Sequence, residues 1–203
     1  MNSKVDEYKY LLTMFVYAMR NHETRINTLF RLIYIYLVSL SFFTGEKSND
    51  IFNVYAFQKN YEADNNSYFR EALAISISGE YITESNGVLK PGDDLEKHIN
   101  QICTESEKVK RELQSISYFS DVIYSYGEDS IFTMFYKEPN FEDAFKRNST
   151  EIDLENNKLK ELLTEFETTA NKNNMEQIDK YDVFISWLNF ILNEYIKEKN
   201  VNE

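Results

Sequence analysis

The chain has 203 residues, with 34 Asp and Glu against 22 Lys and Arg, and a net charge of -12. That balance argues against a nucleic-acid grip, which needs Lys and Arg to neutralise phosphates. Five Gly and two Pro beside 15 Tyr and 15 Phe argue against an all-β fold with many tight turns, and the lone Cys103 excludes an internal disulfide.

The first segment, Val5 to Met19, places Val5, Tyr8, Leu11 or Leu12, Phe15 and Met19 at spacings of three and four, the period of an amphipathic helix. Asn21 is positioned to cap a second helix, with Thr24 and Arg25 in its opening turns and Gly45 as its stop. That helix contains the run Leu32 to Phe43, 12 residues against the roughly 20 needed to cross a bilayer. A run apolar nearly all round reads as a central core helix, not a membrane span.

Asp50 then precedes an expected short helix, Ile51 to Lys59, and Ser67 starts another over Tyr68 to Ser78 that ends at Gly79. Phe69, Ala72, Leu73 and Ile75 to Ile77 form its expected apolar face, leaving Arg70, Glu71, Ser76 and Ser78 outward. Tyr81 to Thr83 and Val88 to Leu89 are β-prone and separated by Glu84-Ser-Asn-Gly87. Asn-Gly is a strong hairpin signal because both residues tolerate positive φ.

After Pro91-Gly92-Asp93-Asp94 the pattern predicts a helical stretch from Leu95 to Tyr126, with a break near Thr104 to Ser106 and a stop at Gly127. Two aromatic pieces, Ile131 to Tyr136 and Phe141 to Phe145, are split at Glu138-Pro139, since the residue before proline resists the helix. Glu155 to Ala170 is an expected exposed helix, Asn171 to Asn174 a linker, and Ile178 to Lys199 a final helix striped with Phe184, Trp187, Leu188, Ile191, Leu192 and Tyr195. The predicted fold class is mainly α with a small β-hairpin: a winged-helix-like core over 1–100 plus a C-terminal helical extension over 101–203.

Chemistry-bearing clusters are sparse. His22 and His98 lie far apart with no Cys in ligand spacing, whereas a tetrahedral zinc site needs four close ligands. Cys103 and His98 are a nucleophile and a base on paper, but no orienting third group accompanies them. The glycines sit singly at 45, 79, 87, 92 and 127, so no phosphate-cradling loop exists. Asp93-Asp94 and Glu128-Asp129 fall at helix starts, where carboxylates complement the helix dipole. No catalytic, cofactor-binding or metal residue is nominated. Two aromatic groups, Phe184, Trp187, Ile191 and Tyr195 and then Phe132, Phe135 and Tyr136, read as core or as docking surface.

Two pieces, Arg25-Ile-Asn-Thr-Leu-Phe-Arg-Leu-Ile-Tyr-Ile-Tyr-Leu37 and Phe69-Arg-Glu-Ala-Leu-Ala-Ile-Ser-Ile-Ser-Gly-Glu-Tyr-Ile82, followed by the Asn86-Gly87 hairpin, carry a resemblance. The first half of the chain resembles the middle component of bacterial three-component ABC systems of the Lamassu anti-phage type. The resemblance implies a non-catalytic adaptor, with an SMC/Rad50-like ATPase and an effector nuclease as protein partners. It implies DNA contact only indirectly through the complex, and supplies no catalytic residue.

No cofactor, membrane or small-molecule substrate is expected, and the absence of a basic-then-apolar leader places the protein in the cytoplasm. A winged-helix transcriptional regulator and an accessory subunit of a chromosome-organising SMC complex are the alternatives. The regulator requires a basic surface on Tyr68 to Ser78 and the wing, which Glu71, Glu80 and Glu84 oppose.

Overall fold

A computed structural model describes residues 3–47, 51–53, 67–173 and 178–201. These residues are mainly helical, with a small three-stranded antiparallel sheet of order β1-β4-β3 and a two-stranded pair β2-β5. The elements are α1 (Ser3–Ala18), β1 (Thr24–Arg25), α2 (Ile26–Thr44), β2 (Ile51–Asn53), α3 (Ser67–Ser78), β3 (Ile82–Ser85) and β4 (Val88–Pro91). There follow α4 (Leu95–Glu105), α5 (Glu107–Tyr124), α6 (Glu128–Tyr136), α7 (Pro139–Lys146), β5 (Glu151–Asp153), α8 (Lys158–Asn173) and α9 (Lys180–Val201).

The chain divides into two compact units, Met1–Ile33 with Lys59–Gly127, and Tyr34–Gln58 with Glu128–Glu203. This division differs from the expected boundary between 1–100 and 101–203. The remainder of α4 and all of α5 belong to the first unit, because Ile99, Ile116, Phe119 and Ile123 are buried there.

In the first unit α1 packs on α3, α4 and α5 and presents Leu11, Leu12 and Phe15 to the interior, with Met19 buried just past its end. Phe69 of α3 meets Tyr8 edge-on at 5.5 Å and Phe30 at 3.7 Å between ring centroids. Burying each such side chain contributes about 1.5–3 kcal/mol.

The hairpin forms as its sequence predicts. Asn86 and Gly87 take φ of 54° and 77°, the two positive values of a two-residue turn whose twist matches the strands. Glu84 Oε1 accepts from the Gly87 N–H at 2.6 Å and pins the turn. Ile82 and Leu89 point inward from the two strands. Thr24 and Arg25 are not helical: they pair with Leu89 and Val88, and α2 begins only at Ile26. The Ile26 N–H donates to the Gly87 carbonyl at 3.0 Å.

Helix α2 has 19 residues, long and apolar enough by length and composition to cross a membrane, yet 78% of its most apolar window is buried. It is a core helix, ended by Gly45 at φ 79°.

In the second unit Tyr34, Ile35, Val38 and Phe42 from α2 join Phe135 of α6, Phe141 of α7, Leu159 and Leu163 of α8, and Phe184, Trp187 and Leu188 of α9. Tyr34 meets Phe52 and Phe135 edge-on, each at 5.2 Å. Ile51–Asn53 is a strand and not the start of a helix, since it pairs antiparallel with β5 in the register Phe52 opposite Ile152. The rest of that expected helix lies outside the described residues. Asn171–Asn173 continue α8 instead of forming a linker, and Asn174 lies outside the described residues.

Two expected breaks are present. Ser106 separates α4 from α5 and caps the latter, its Oγ accepting from the Val109 N–H at 3.4 Å. Glu138 separates α6 from α7, with Pro139 in the first turn, where a missing N–H costs nothing.

Candidate interaction surface

Within the first unit the exposed face of α3 and the adjoining hairpin form the candidate surface. Phe69, Ala72, Leu73 and Ser76 point inward, leaving Tyr68, Arg70, Glu71, Ala74, Ile75, Ile77 and Ser78 outward. The structure changes the expected face in two respects. Ser76 is buried, its hydroxyl donating to the Ala72 carbonyl at 2.8 Å. Ile75 and Ile77 are 36% and 38% exposed instead of contributing to the core.

The helical period explains the change: residues 75 and 77 lie about 200° apart around the axis, so Ser76 faces the core and the two isoleucines flank it. Arg70 is the sole cation on α3 and sits beside Glu71. On the hairpin, Glu84 and Lys90 are exposed with opposite signs.

The second unit exposes only part of the set singled out in the sequence, Phe132 and Tyr195, together with aromatics outside it. Phe184, Trp187, Ile191 and Phe135 are buried and therefore core. Outward are Phe132 at 46%, Phe145 at 60% and Phe190 at 55%. Tyr195 and Ile196 near the end of α9 are exposed too. Large exposed apolar side chains are the usual anchors of protein interfaces. A groove of about 650 Å³ runs along the outer face of α8, walled by Lys47, Lys160, Glu161, Glu165 and Lys172. Its charges alternate in sign, so it carries no net preference for an anion or a cation.

The residues weighed for chemistry are dispersed. His22 stacks on Tyr124 at 4.6 Å, and His98 lies against Tyr81 at 4.7 Å. Burial first, and the Lys9 ammonium second, hold His98 below its ordinary range, which favours a neutral imidazole. Cys103 is half-buried. Among the described residues no group of three or more His, Cys, Asp or Glu side chains is placed to hold a metal ion.

One constellation escaped the sequence reading. Tyr34, Glu138, Asn140 and Asn157 form a buried polar network inside the second unit. The Tyr34 hydroxyl donates to Glu138 Oε2 at 2.6 Å, and the Phe141 N–H donates to the same oxygen at 2.8 Å. Asn140 Nδ2 bridges Glu138 Oε1 at 2.6 Å and Asn157 Oδ1 at 3.0 Å. Asn157 Nδ2 donates to the Val38 carbonyl and to Ser41 Oγ, at 2.6 and 3.0 Å.

A buried carboxylate is a frequent mark of catalysis. Here its oxygens are consumed by structural donors, because Glu138 caps α7 and Asn157 caps α8 by accepting from the Lys160 N–H at 3.1 Å. The available signal was Glu-Pro-Asn ahead of an amphipathic segment, a capping residue followed by proline at the first helical position.

Comparisons with known proteins return no matching family model, no significantly similar curated protein and no significantly similar solved structure.

Proposed function

We propose that this chain is a non-catalytic adaptor subunit of a bacterial anti-phage complex, joining an SMC/Rad50-like ATPase to an effector nuclease in the cytoplasm. The first unit then serves as a winged-helix-like module. Its order of helix, strand, two helices and a hairpin supports that reading, as does a first strand that pairs with the second strand of the hairpin.

The observation that carries the proposal is the outward face of α3. Where a DNA reader would place several cations, this helix offers Tyr68, Ile75 and Ile77 around one Arg70 opposed by Glu71. A net charge of -12 suits docking on basic DNA-binding proteins, since complementary potentials speed and orient encounter.

The test is co-expression of the chain with the proteins encoded beside its gene, followed by size-exclusion chromatography and a gel shift of the isolated chain on random duplex DNA. A stable complex with a coiled-coil ATPase, and no shift by the chain alone, is the expected outcome. Tight DNA binding by the chain alone would favour a transcriptional regulator and overturn the proposal.

A further inference from the structure

Glu138 is fully buried at the start of α7, and four donors converge on its carboxylate. Oε1 accepts from the Asn140 N–H at 3.1 Å and from Asn140 Nδ2, while Oε2 accepts from the Tyr34 hydroxyl and the Phe141 N–H. The groups facing it are Tyr34 from α2, Asn140 and Phe141 from α7, and Asn157 at the start of α8 acting through Asn140.

Among the described residues no basic side chain pairs with it. Lys158 sends its ammonium to Asp143 at 2.6 Å, and only its backbone N–H enters the network, donating to Asn140 Oδ1 at 2.8 Å. An anion held without a cation in the interior carries a large desolvation cost.

Three of the four donors are amides, which can only donate. The fourth is a hydroxyl, which donates or accepts. We propose that Tyr34 and Glu138 form a proton-linked latch in the second unit: on acidification Glu138 binds a proton from solvent, Tyr34 turns from donor to acceptor, and the caps of α7 and α8 stay in place.

In that step one O–H bond forms on Oε2 as one breaks in the hydronium ion that supplies the proton, leaving a neutral water. The new hydrogen points at the Tyr34 oxygen, whose own hydrogen rotates off the carboxyl group. Both asparagines keep their partners.

The electrostatics run in the same direction. Burial pushes the Glu138 carboxyl above the usual carboxylate range, and the four donors only partly offset it. Burial and the adjacent carboxylate also raise Tyr34 well above the ordinary phenol range, so Tyr34 remains a neutral hydroxyl throughout. The folded chain therefore binds the Glu138 proton more tightly than the unfolded chain does. The associated stability is fully present below the ordinary glutamate value and is lost as pH rises through the higher folded value.

The test follows the Glu138 side-chain carboxyl by carbon NMR in the 203-residue chain, beside urea midpoints of wild type and Glu138→Gln across the same pH range. The expected results are a Glu138 midpoint above those of the surface glutamates, and a wild type that gains on Glu138→Gln as pH falls. A Glu138 midpoint at or below those of the surface glutamates, or a difference between the two proteins that ignores pH, overturns the latch. Should Glu138→Gln fail to fold, Tyr34→Phe removes one donor and raises the Glu138 midpoint further; an unmoved midpoint overturns the proposal equally.

Discussion

Asn140 Nδ2 donates to Asn157 Oδ1 at 3.0 Å, so the side chains at two helix starts, 17 positions apart in sequence, hold each other. Asn157 also reaches back to the Val38 carbonyl of α2 and caps the first turn of α8. A single amide thereby positions three helices of the second unit.

Replacing it tests that role. Asn157→Ala removes the cap and leaves Asn140 Nδ2 with fewer acceptors and the Val38 carbonyl without this donor, so a loss of about 2–3 kcal/mol is expected. Urea unfolding gives the magnitude, and hydrogen exchange in the first turn of α8 gives the location. A loss below about 0.5 kcal/mol, the range of an ordinary surface change, would show the amide to be incidental.

Glycine substitutions in and beside the hairpin separate conformational strain from collision. A Cβ at Gly87 meets nothing within 4 Å, so Gly87→Ala costs only the positive φ, about 1–2 kcal/mol. A Cβ at Gly92 would collide with the backbone carbonyl of Glu80, which cannot move without disturbing the bond from the Gly92 N–H to the Tyr81 carbonyl. Gly92→Ala is therefore expected to be the more damaging of the two in thermal unfolding, and the reverse order would contradict the close approach.

The two large aromatics of α9 should behave oppositely. Trp187 is 1% exposed, and Trp187→Ala is expected to cost about 3–5 kcal/mol. Phe190→Ala should leave the unfolding midpoint nearly unchanged, within about 0.5 kcal/mol. Any defect it causes in partner binding would then report a surface contact. Measuring both midpoints checks the assignment of core and surface along one helix.

His98 provides a pH prediction. Its folded value lies below the ordinary 6.5, because of burial first and Lys9 second. Between those two values the unfolded chain binds the proton and the folded chain does not, so this contribution to stability is lost as pH falls through that window. Lys9→Gln should move the His98 midpoint partway up, as seen by proton NMR of the ring. A midpoint that stays put would remove Lys9 from the account.

Features encoded by neighbouring residues were legible in the sequence. Asn86-Gly87 fixes the hairpin, Ser106 and Glu138-Pro139 fix the helix breaks, and the three-four spacing predicts most of the buried faces of α1 and α9, the exposed Tyr195 excepted. What escaped depends on partners far along the chain. Strands β1, β2 and β5 have two or three residues each and exist only through pairing, as Phe52 does with Ile152.

Tyr34 lies in an uninterrupted apolar run and gives no hint that its hydroxyl meets a carboxylate 104 positions away. Periodicity also identifies which side of a helix is apolar without saying what covers it. Trp187 and Phe132 therefore looked equally eligible for a partner until burial separated them.

The interleaved division of the chain bears on its biosynthesis. All of the first unit has been synthesised once Gly127 has left the ribosome, whereas Tyr34–Gln58 must wait for everything after Glu128. In that interval Tyr34 lacks Phe135 of α6, Phe42 lacks Lys180 and Phe43 lacks Tyr181 and Phe184 of α9. Such a nascent intermediate presents sticky surface to chaperones and to its own copies. A premature stop near residue 127 would consequently yield insoluble product, even though every residue of the first unit is present.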